Sequence, residues 1–154
     1  MLEVKFYDTV DDSLLKFAVI ISQSNGKWVF CKHKERDTYE ALGGHREVGE
    51  DILETAKREL QEETGAIQFD INPICVYSVT GKNSVNETGE ETFGLLCFAE
   101  ITEFAGKLES EIEKVELMDE LPQNWTYPLI QPKLIEKYLQ IEKQSYSQIQ
   151  LAAK

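Results

Sequence analysis

The chain of 154 residues is poor in several residue types that mark particular protein classes. Its three cysteines and two histidines contain no CxxC pair, which is too little for a zinc site of ordinary spacing. Only four prolines are present and no repeat or Gly- and Ser-rich linker interrupts the chain, which favours a single domain. No apolar run is long enough to cross a membrane, and the N-terminus lacks the basic start of a signal peptide. We therefore expect a cytoplasmic globular protein with reduced, buried cysteines and no membrane partner.

Positive charge is also scarce, because 16 Lys and Arg residues face 28 Asp and Glu residues, for a net charge of -12. A surface this acidic repels duplex nucleic acid, so we expect no stable complex with it. A polyphosphate ligand is anionic as well, and metal ions would have to offset its charge locally. The composition therefore favours a small ligand bound together with a cation.

Acidic residues are concentrated between residues 43 and 67. Six glutamates fall within 17 residues: Glu47, Glu50, Glu54, Glu59, Glu62 and Glu63. Such a group is self-repelling unless a cation lies among it, and carboxylate oxygens are the ligands that Mg²⁺ prefers. The alternative from spacing alone is the solvated acidic face of an ordinary amphipathic helix.

The same stretch predicts a helix over about residues 51–64 that ends at a left-handed Gly65. Its apolar stripe is formed by Ile52, Leu53, Ala56 and Leu60. Glu59 and Glu63 are four residues apart, so their Cβ atoms should lie roughly 5–6 Å from each other. Arg58 is also four residues from Glu54, which predicts an ion pair and a structural role for this arginine.

Segments typical of strands surround this helix, at residues 2–7, 16–22, 27–33, 38–41, 67–80, 92–101 and 114–118. Asn25-Gly26 predicts a tight hairpin, and residues 81–89 predict a second hairpin loop. Pro132 should begin a last helix. Its predicted buried face consists of Leu134, Ile135, Tyr138 and Leu139. We expect a mixed β-sheet covered on both faces, an α/β/α sandwich, as one domain over residues 1–144 with a frayed tail at 145–154.

One motif of the central stretch resembles a known family pattern. Gly44, five residues, Glu50, seven residues and then Arg58-Glu59-Leu60-Gln61-Glu62-Glu63-Thr64-Gly65 match the fixed positions of the Nudix box. The match covers 23 residues and departs at its last position, where Ala66 replaces a larger aliphatic residue. Leu42 stands before the glycines, where many members have proline.

The resemblance implies a Nudix-type α/β/α fold and an enzyme that uses Mg²⁺ or Mn²⁺. Nudix hydrolases cleave a pyrophosphate bond in a nucleoside diphosphate linked to another group. Glu59 and Glu63 would be the main metal ligands, and Glu62 a further ligand or the catalytic base. Glu50 would bind metal or support the loop, the Gly44 carbonyl would also reach the metal, and Arg58 would order the catalytic residues. Members often add one acid from outside the box, for which the candidates are Glu90, Glu91, Glu111 and Glu113.

The substrate class follows only by elimination among subfamilies. Residues 80–82 lack the proline that is typical of ADP-ribose enzymes. Tyr77 lies too early to be the tyrosine that dinucleoside polyphosphate enzymes often have, and no coenzyme A signature is visible. The remaining resemblance is to enzymes that hydrolyse nucleoside triphosphates, including oxidised ones such as 8-oxo-dGTP, in sanitation of the nucleotide pool. An RNA 5′-end pyrophosphohydrolase and a Nudix-fold sensor without activity stay as alternatives.

Substrate-binding residues have weaker signals. The charged loop at the end of the third strand segment offers Lys32 and Arg36 for phosphates, and Trp125, like Tyr127, could stack on a base. His45 lies inside the box loop and is a further candidate. A solvated loop and a packed aromatic residue are the corresponding alternatives. The apolar segment 92–101 allows a homodimer edge, although burial explains it equally well.

Overall fold

A computed structural model describes residues 2–33, 37–83, 86–105 and 112–153. A short 3-10 helix at Asp12–Leu14 lies between the first two strands. The strands and helices are β1 (Glu3–Tyr7), β2 (Leu15–Ser24), β3 (Lys27–His33), β4 (Tyr39–Glu40), β5 (Leu42–His45), α1 (Ile52–Thr64), β6 (Ala66–Thr80), β7 (Thr92–Phe104), β8 (Ile112–Met118) and α2 (Gln131–Ala153).

The described strands form one mixed sheet. Six of them lie in the order β1-β6-β7-β2-β3-β4, while β5 pairs with β2 and β8 pairs with β3. The β2–β7 pairing is parallel, whereas the other described pairings between these strands are antiparallel. Because β7 lies between β6 and β2, its apolar character comes from burial and not from an exposed dimer edge. A homodimer therefore stays a prediction without that support.

One helix covers each face of the sheet, which confirms the α/β/α sandwich. On one face, α1 buries Ile52, Ala56 and Leu60 against a cluster that includes Ala18 and Cys31. On the opposite face, α2 buries Leu134, Ile135 and Tyr138 with residues such as Phe30 and Leu96. Successive side chains of β3 face opposite sides of the sheet, because Trp28 and Phe30 belong to one cluster and Val29 and Cys31 to the other.

The turns and the cysteines agree with the predictions made from the sequence. Asn25 and Gly26 adopt φ angles of 52° and 77°, as a tight hairpin between β2 and β3 requires. Gly65 ends α1 in the left-handed conformation with φ 72°, and its N–H bonds the Gln61 carbonyl. Cys31, Cys75 and Cys97 are all free thiols and all buried.

Two expectations for the C-terminal part are wrong. Leu139 is 43% exposed, because the apolar stripe of α2 passes through Tyr138 and Ile141 and leaves Leu139 beside it. Residues 145–153 continue α2 instead of fraying, since no Gly or Pro after Pro132 ends the helix. The domain boundary at residue 144 stays a prediction. Within the described residues, no helix is both long and apolar enough to cross a membrane.

The segment before α2 docks on β4. Backbone bonds join the Tyr39 N–H to the Asn124 carbonyl at 2.9 Å and the Thr126 N–H to the Tyr39 carbonyl at 2.9 Å. These bonds bring the first turn of α2 next to β4 and β5, where the motif glycines lie.

Candidate active site

The two motif glycines lie in β5, extended beside β2. Ala18 pairs with Gly44 and Val19 pairs with Gly43. A Cβ on Gly43 would overlap the Ala18 carbonyl oxygen, and one on Gly44 would overlap the carboxylate of Glu59. The glycines therefore allow close approach, because no side chain separates β5 from the helix carboxylates.

Glu63 and Glu59 reach β5 from α1. The Gly43 N–H donates to Glu63 Oε1 at 2.7 Å, and the Glu59 carboxylate lies against Gly44. Glu59 and Glu63 lie next to the buried face of α1, to which Leu60 and Thr64 belong. This position places two carboxylates of α1 against the backbone of one strand.

Arg58 organises the acidic cluster, but through different partners from the predicted one. Its guanidinium binds Glu50 with two bonds of 2.6 and 3.1 Å, and Glu59 with one of 2.8 Å. It also donates to the His45 carbonyl at 3.0 Å and to Glu62 at 3.3 Å. The expected pairing with Glu54 is wrong, because the guanidinium turns towards the loop, where partly buried Glu50 offers a bidentate partner.

Glu50 supports the loop between β5 and α1. Its Oε1 accepts from the Thr55 hydroxyl at 2.6 Å and from the Glu47 N–H at 3.1 Å, in addition to Arg58. Hydrogen bonds from Arg58 and then Thr55 lower the pKa of Glu50 to about 2. Glu50 is thus held charged by the chain itself.

Glu63 and Glu59 are in the opposite electrostatic situation. Burial, followed by repulsion from Glu59, Glu40 and Glu62, raises the pKa of Glu63 to about 8, although the Gly43 N–H opposes this. Burial also raises the pKa of Glu59, against the effect of Arg58. Such carboxylates are ionised at neutral pH only at a cost, which a nearby cation would remove.

A cavity of about 510 Å³ opens beside Glu63. Part of its wall comes from the motif region, through Gly43, Gly44, His45, Arg46 and Glu63. The remaining wall comes from distant segments and includes Lys16, Phe17, Glu40, Tyr77, Val79, Asn83, Asn86, Tyr127, Gln131 and Leu134. Its size lies within the range typical of small-molecule sites.

The structure places some of the predicted substrate-binding residues at the cavity and others away from it. His45 lines the cavity, as does Tyr127, whereas neither Lys32 nor Trp125 is among the described lining residues. Trp125 packs edge-to-face on Phe30 with ring centroids 5.4 Å apart, so it fixes the segment before α2 to the sheet. Arg36 lies outside the described residues.

Among the described side chains, the further acid that lines the cavity with Glu63 is Glu40, so the extra ligand named from the sequence stays a prediction. Glu91 accepts hydrogen bonds from Tyr7 and Ser78 at 2.7 Å each, and Glu90 is exposed. Glu111 lies outside the described residues, as does the side chain of Glu113. Glu40 lines the cavity together with Glu63 and contributes to its raised pKa.

Glu40, Tyr77 and Gln131 were therefore missed as cavity residues. Glu40 precedes the glycines by only three positions, which is the one signal that proximity in the chain could have supplied. Tyr77 and Gln131 come from β6 and α2, and only the sheet order and the docking of α2 bring them to the site.

Comparison with known proteins decides the family. The family profile described as NUDIX domain matches residues 13–138, which include all of α1 and most of the sheet. The chain belongs to the Nudix family. Its pyrophosphohydrolase relatives and the intact motif make it a Nudix hydrolase. Nudix hydrolases generally use divalent metal ions.

Individual relatives support this membership. YtkD of Bacillus subtilis strain 168, provisionally named an 8-oxo-dGTP diphosphatase, is 32% identical over 127 residues, which are 79% of this chain and 73% of YtkD. A point variant of the Bacillus subtilis pyrophosphohydrolase BsRppH superposes with a TM-score of 0.72 at 26% identity, covering 90% of each chain. The NUDIX domain of Shewanella oneidensis NrtR, solved with ADP ribose, shares the fold with a TM-score of 0.57 at 15% identity, covering 81% of this chain and 88% of that one.

The donor chemistry of this Nudix site fits a hard divalent cation. Glu59 and Glu63 are carboxylates with pKa values raised mainly by burial, whereas Glu50 is bound by the Arg58 guanidinium. Within the described residues, no three acidic, histidine or cysteine side chains already converge as a closed ligand set. Carboxylate oxygens are ligands of hard divalent cations, whose remaining positions can be taken by water and phosphate oxygens.

Proposed function

We propose that this Nudix hydrolase cleaves nucleoside triphosphates, including oxidised guanine nucleotides such as 8-oxo-dGTP, to the monophosphate and pyrophosphate. The observation that carries the proposal is the position of Glu63, which lines the cavity and whose pKa is raised to about 8. A buried, self-repelling carboxylate at the wall of a nucleotide-sized cavity is the arrangement expected where a cation and phosphates bind. The name of YtkD supports the choice of triphosphate.

The residues of α1 and its loop then have separate roles. Glu59 and Glu63, with Glu62 and the Gly44 carbonyl, would hold Mg²⁺ or Mn²⁺, which offsets phosphate charge and makes water more acidic. Glu50 stays ionised on Arg58 and keeps the loop in place, so in this proposal it supports the site more than it binds metal. Arg58 positions Glu59 and Glu62 through its Nη1 atom.

Proton transfer needs a carboxylate that can accept a proton from the attacking water. Glu62 is the more accessible candidate, with a side chain 56% exposed, against 16% for Glu59. A base must retain access to water, whereas a ligand gains from burial. We therefore assign Glu62 as base or outer ligand, and Glu59 as ligand.

A panel of nucleotides incubated with Mg²⁺ or Mn²⁺ tests the proposal, with release of pyrophosphate as readout. We expect turnover of nucleoside triphosphates, with 8-oxo-dGTP included in the panel. Glu63→Gln should lower kcat by at least about 100-fold, as removal of a charged transition-state contact does. Glu54→Gln is the matched control, because Glu54 is an exposed acid of the same helix and takes no part in the Arg58 cluster.

The same panel separates the alternative functions. Structural likeness to BsRppH keeps an RNA 5′-end substrate as the second candidate, so a short 5′-triphosphate RNA belongs in the panel. The net charge of -12 favours the mononucleotide, since each added phosphate of a strand increases repulsion at low salt. Faster cleavage of the RNA than of every mononucleotide would replace the proposal. Nucleotide binding without any turnover would favour a sensor. The cytoplasm, where nucleotides are made and used, is the compartment that this proposal implies.

A further inference from the structure

The wall of the cavity away from the motif combines apolar side chains with polar ones, and two of the polar side chains are buried. Phe17, Val79 and Leu134 contribute apolar surface to it. Among these residues stand Tyr77 and Gln131, which are only 2% and 6% exposed. A polar group that is buried usually has a hydrogen-bond partner, so one that lacks a partner and faces a cavity indicates a ligand.

The orientation of the Gln131 amide is fixed by the backbone. The Ala41 N–H donates to Gln131 Oε1 at 2.8 Å. Because an N–H group requires an acceptor there, the amide oxygen and not the nitrogen must face Ala41. The Nε2 atom makes no hydrogen bond to any described residue, so its two N–H donors remain for the contents of the cavity.

The Tyr77 hydroxyl is in a similar position. Its ring packs against Phe17 with centroids 5.5 Å apart, yet the hydroxyl has no partner among the described residues. The Tyr7 hydroxyl, in contrast, donates to Glu91 at 2.7 Å. Burial raises the pKa of Tyr77 well above its usual range, so this hydroxyl stays protonated and can donate a hydrogen bond.

We propose that Gln131 and Tyr77 make the site selective for bases with a carbonyl oxygen at purine position 6 or pyrimidine position 4, as in guanine and 8-oxoguanine. Bases with an amino group at that position are disfavoured. The inference rests on the proposed nucleotide function. A carbonyl oxygen accepts from the fixed Nε2 donors, whereas the amino group of adenine or cytosine meets them donor to donor. A site built with buried donors rejects a ligand that leaves those donors unpaired.

Pairs of nucleotides with equal ring size test the selectivity. Values of kcat/KM are measured with Mg²⁺ for GTP against ATP, and for UTP against CTP. The wild-type protein should prefer the carbonyl-bearing member of each pair by about tenfold or more. Equal values within both pairs would overturn the inference, because size and phosphate charge are matched.

Gln131→Glu replaces the two donors by an acceptor while a carboxylate oxygen still accepts from the Ala41 N–H. The added negative charge weakens binding of all four triphosphates alike, so the ratio within each pair isolates the hydrogen bond. Both ratios should fall to about one or below, by the same reasoning. Gln140→Glu is the control, since Gln140 is exposed on the same helix and away from the cavity. Unchanged ratios in Gln131→Glu would overturn the inference.

Tyr77→Phe provides a second variant that does not depend on the folding of the first. The hydroxyl has no described protein partner, so its removal should leave the melting temperature unchanged. We expect kcat/KM for GTP to fall about threefold to tenfold relative to that for ATP, as loss of a neutral hydrogen bond predicts. A melting temperature lowered by several degrees with an unchanged ratio would show a packing role instead.

Binding of GMP and AMP, measured by calorimetry without metal, separates this inference from the proposed function. Preference for GMP that disappears in Gln131→Glu, without turnover of any triphosphate, would sustain the selectivity and refute the function. Hydrolysis of all four triphosphates at equal efficiency would sustain the function and refute the selectivity.

Discussion

At the scale of single residues, the adjacent glycines of β5 differ in what an added methyl group would meet. At Gly43 the methyl would overlap a backbone atom, the Ala18 carbonyl oxygen, which cannot move without breaking the β2–β5 pairing. At Gly44 it would overlap the Glu59 carboxylate, the end of a flexible side chain. Neighbouring positions with the same residue therefore carry different constraints, one on folding and one on the site.

Alanine substitution at each glycine should separate these constraints. Gly43→Ala is expected to lower the free energy of unfolding by about 1–3 kcal/mol, as overpacking does. Gly44→Ala should leave it nearly unchanged but reduce kcat about 100-fold, because Glu59 is displaced. Chemical denaturation and steady-state kinetics on both variants check this, and Gly26→Ala controls for backbone strain, since no atom lies near its Cβ. Equal stability losses at positions 43 and 44 would contradict the assignment.

The carboxyl group of Glu63 predicts a pH-dependent stability of the metal-free protein. Its pKa is raised by burial to about 8 in the folded state from an ordinary value of 4.5. The folded protein therefore holds this proton more tightly than the unfolded chain does, so the stabilisation is complete below about pH 4.5 and is lost as the pH rises to about 8. Since one pKa unit corresponds to about 1.4 kcal/mol, Glu63→Gln should raise the free energy of unfolding at pH 8 by at least about 2 kcal/mol.

Thermal melts of wild type and Glu63→Gln at pH 5 and pH 8, in the presence of a chelator, measure this difference. The two proteins should melt together at pH 5 and separate at pH 8, with the variant higher. Added Mg²⁺ should stabilise the wild type at pH 8 and leave the variant unchanged, because the charged carboxylate is the group the cation would bind. A variant less stable than wild type at pH 8 would contradict the electrostatic reading.

At the scale of elements, the loop between β5 and α1 is held by Arg46 at its start and by Arg58 within α1. Arg46 donates to the Glu50 carbonyl at 2.7 Å and to Asp12 Oδ2 at 3.0 Å, which ties the loop to the 3-10 helix. Arg58 ties the same loop to α1 through Glu50 and the His45 carbonyl. The carboxylates proposed to hold the metal are thus positioned by contacts to the loop as well as by the helix.

Arg58→Lys tests whether the planar, branched guanidinium is required. Lysine keeps the charge but cannot bind Glu50 bidentately while also reaching Glu59, so the cluster loses its order. We expect kcat to fall about tenfold to 100-fold, with a loss of stability of about 1–2 kcal/mol. Lys57→Arg, at the exposed neighbouring position, is the control for a change of cation on α1. Retention of full activity in Arg58→Lys would contradict this role.

Turns and helix ends could be predicted where the conformation depends on a few neighbouring residues. Residues of the site could be predicted only where they are close together in the chain. The hairpin at Asn25-Gly26 and the Gly65 cap depend on few neighbours, and both are confirmed. The Glu54–Arg58 pairing was wrong because the loop returns Glu50 to the arginine, which helical spacing does not reveal. Tyr77 and Gln131 could not be predicted, since they are 54 positions apart (131 minus 77) and meet only through the tertiary fold.

At the scale of the whole molecule, the cavity depends on both layers of the sandwich. Glu63 reaches it from α1, and Gln131 and Leu134 reach it from α2 on the other face of the sheet. The buried face of α2 passes through Leu134, Ile135 and Tyr138, with Ile141 partly buried beyond them. The Nudix family match also ends at residue 138. The first turns of α2 should therefore suffice to close the site.

Truncation after Gln144 is expected to leave the fold and activity intact, in keeping with the domain predicted over residues 1–144. All the α2 side chains named in the buried cluster remain in the shortened chain. The melting temperature should change by less than about 4 °C, the effect of about 1 kcal/mol in a domain of this size, and kcat/KM by less than a factor of two. Truncation after Lys133 is the contrasting variant, because it removes Leu134, Ile135 and Tyr138 and should abolish cooperative unfolding. Loss of activity on truncation after Gln144 would mean that residues 145–154 belong to the functional unit.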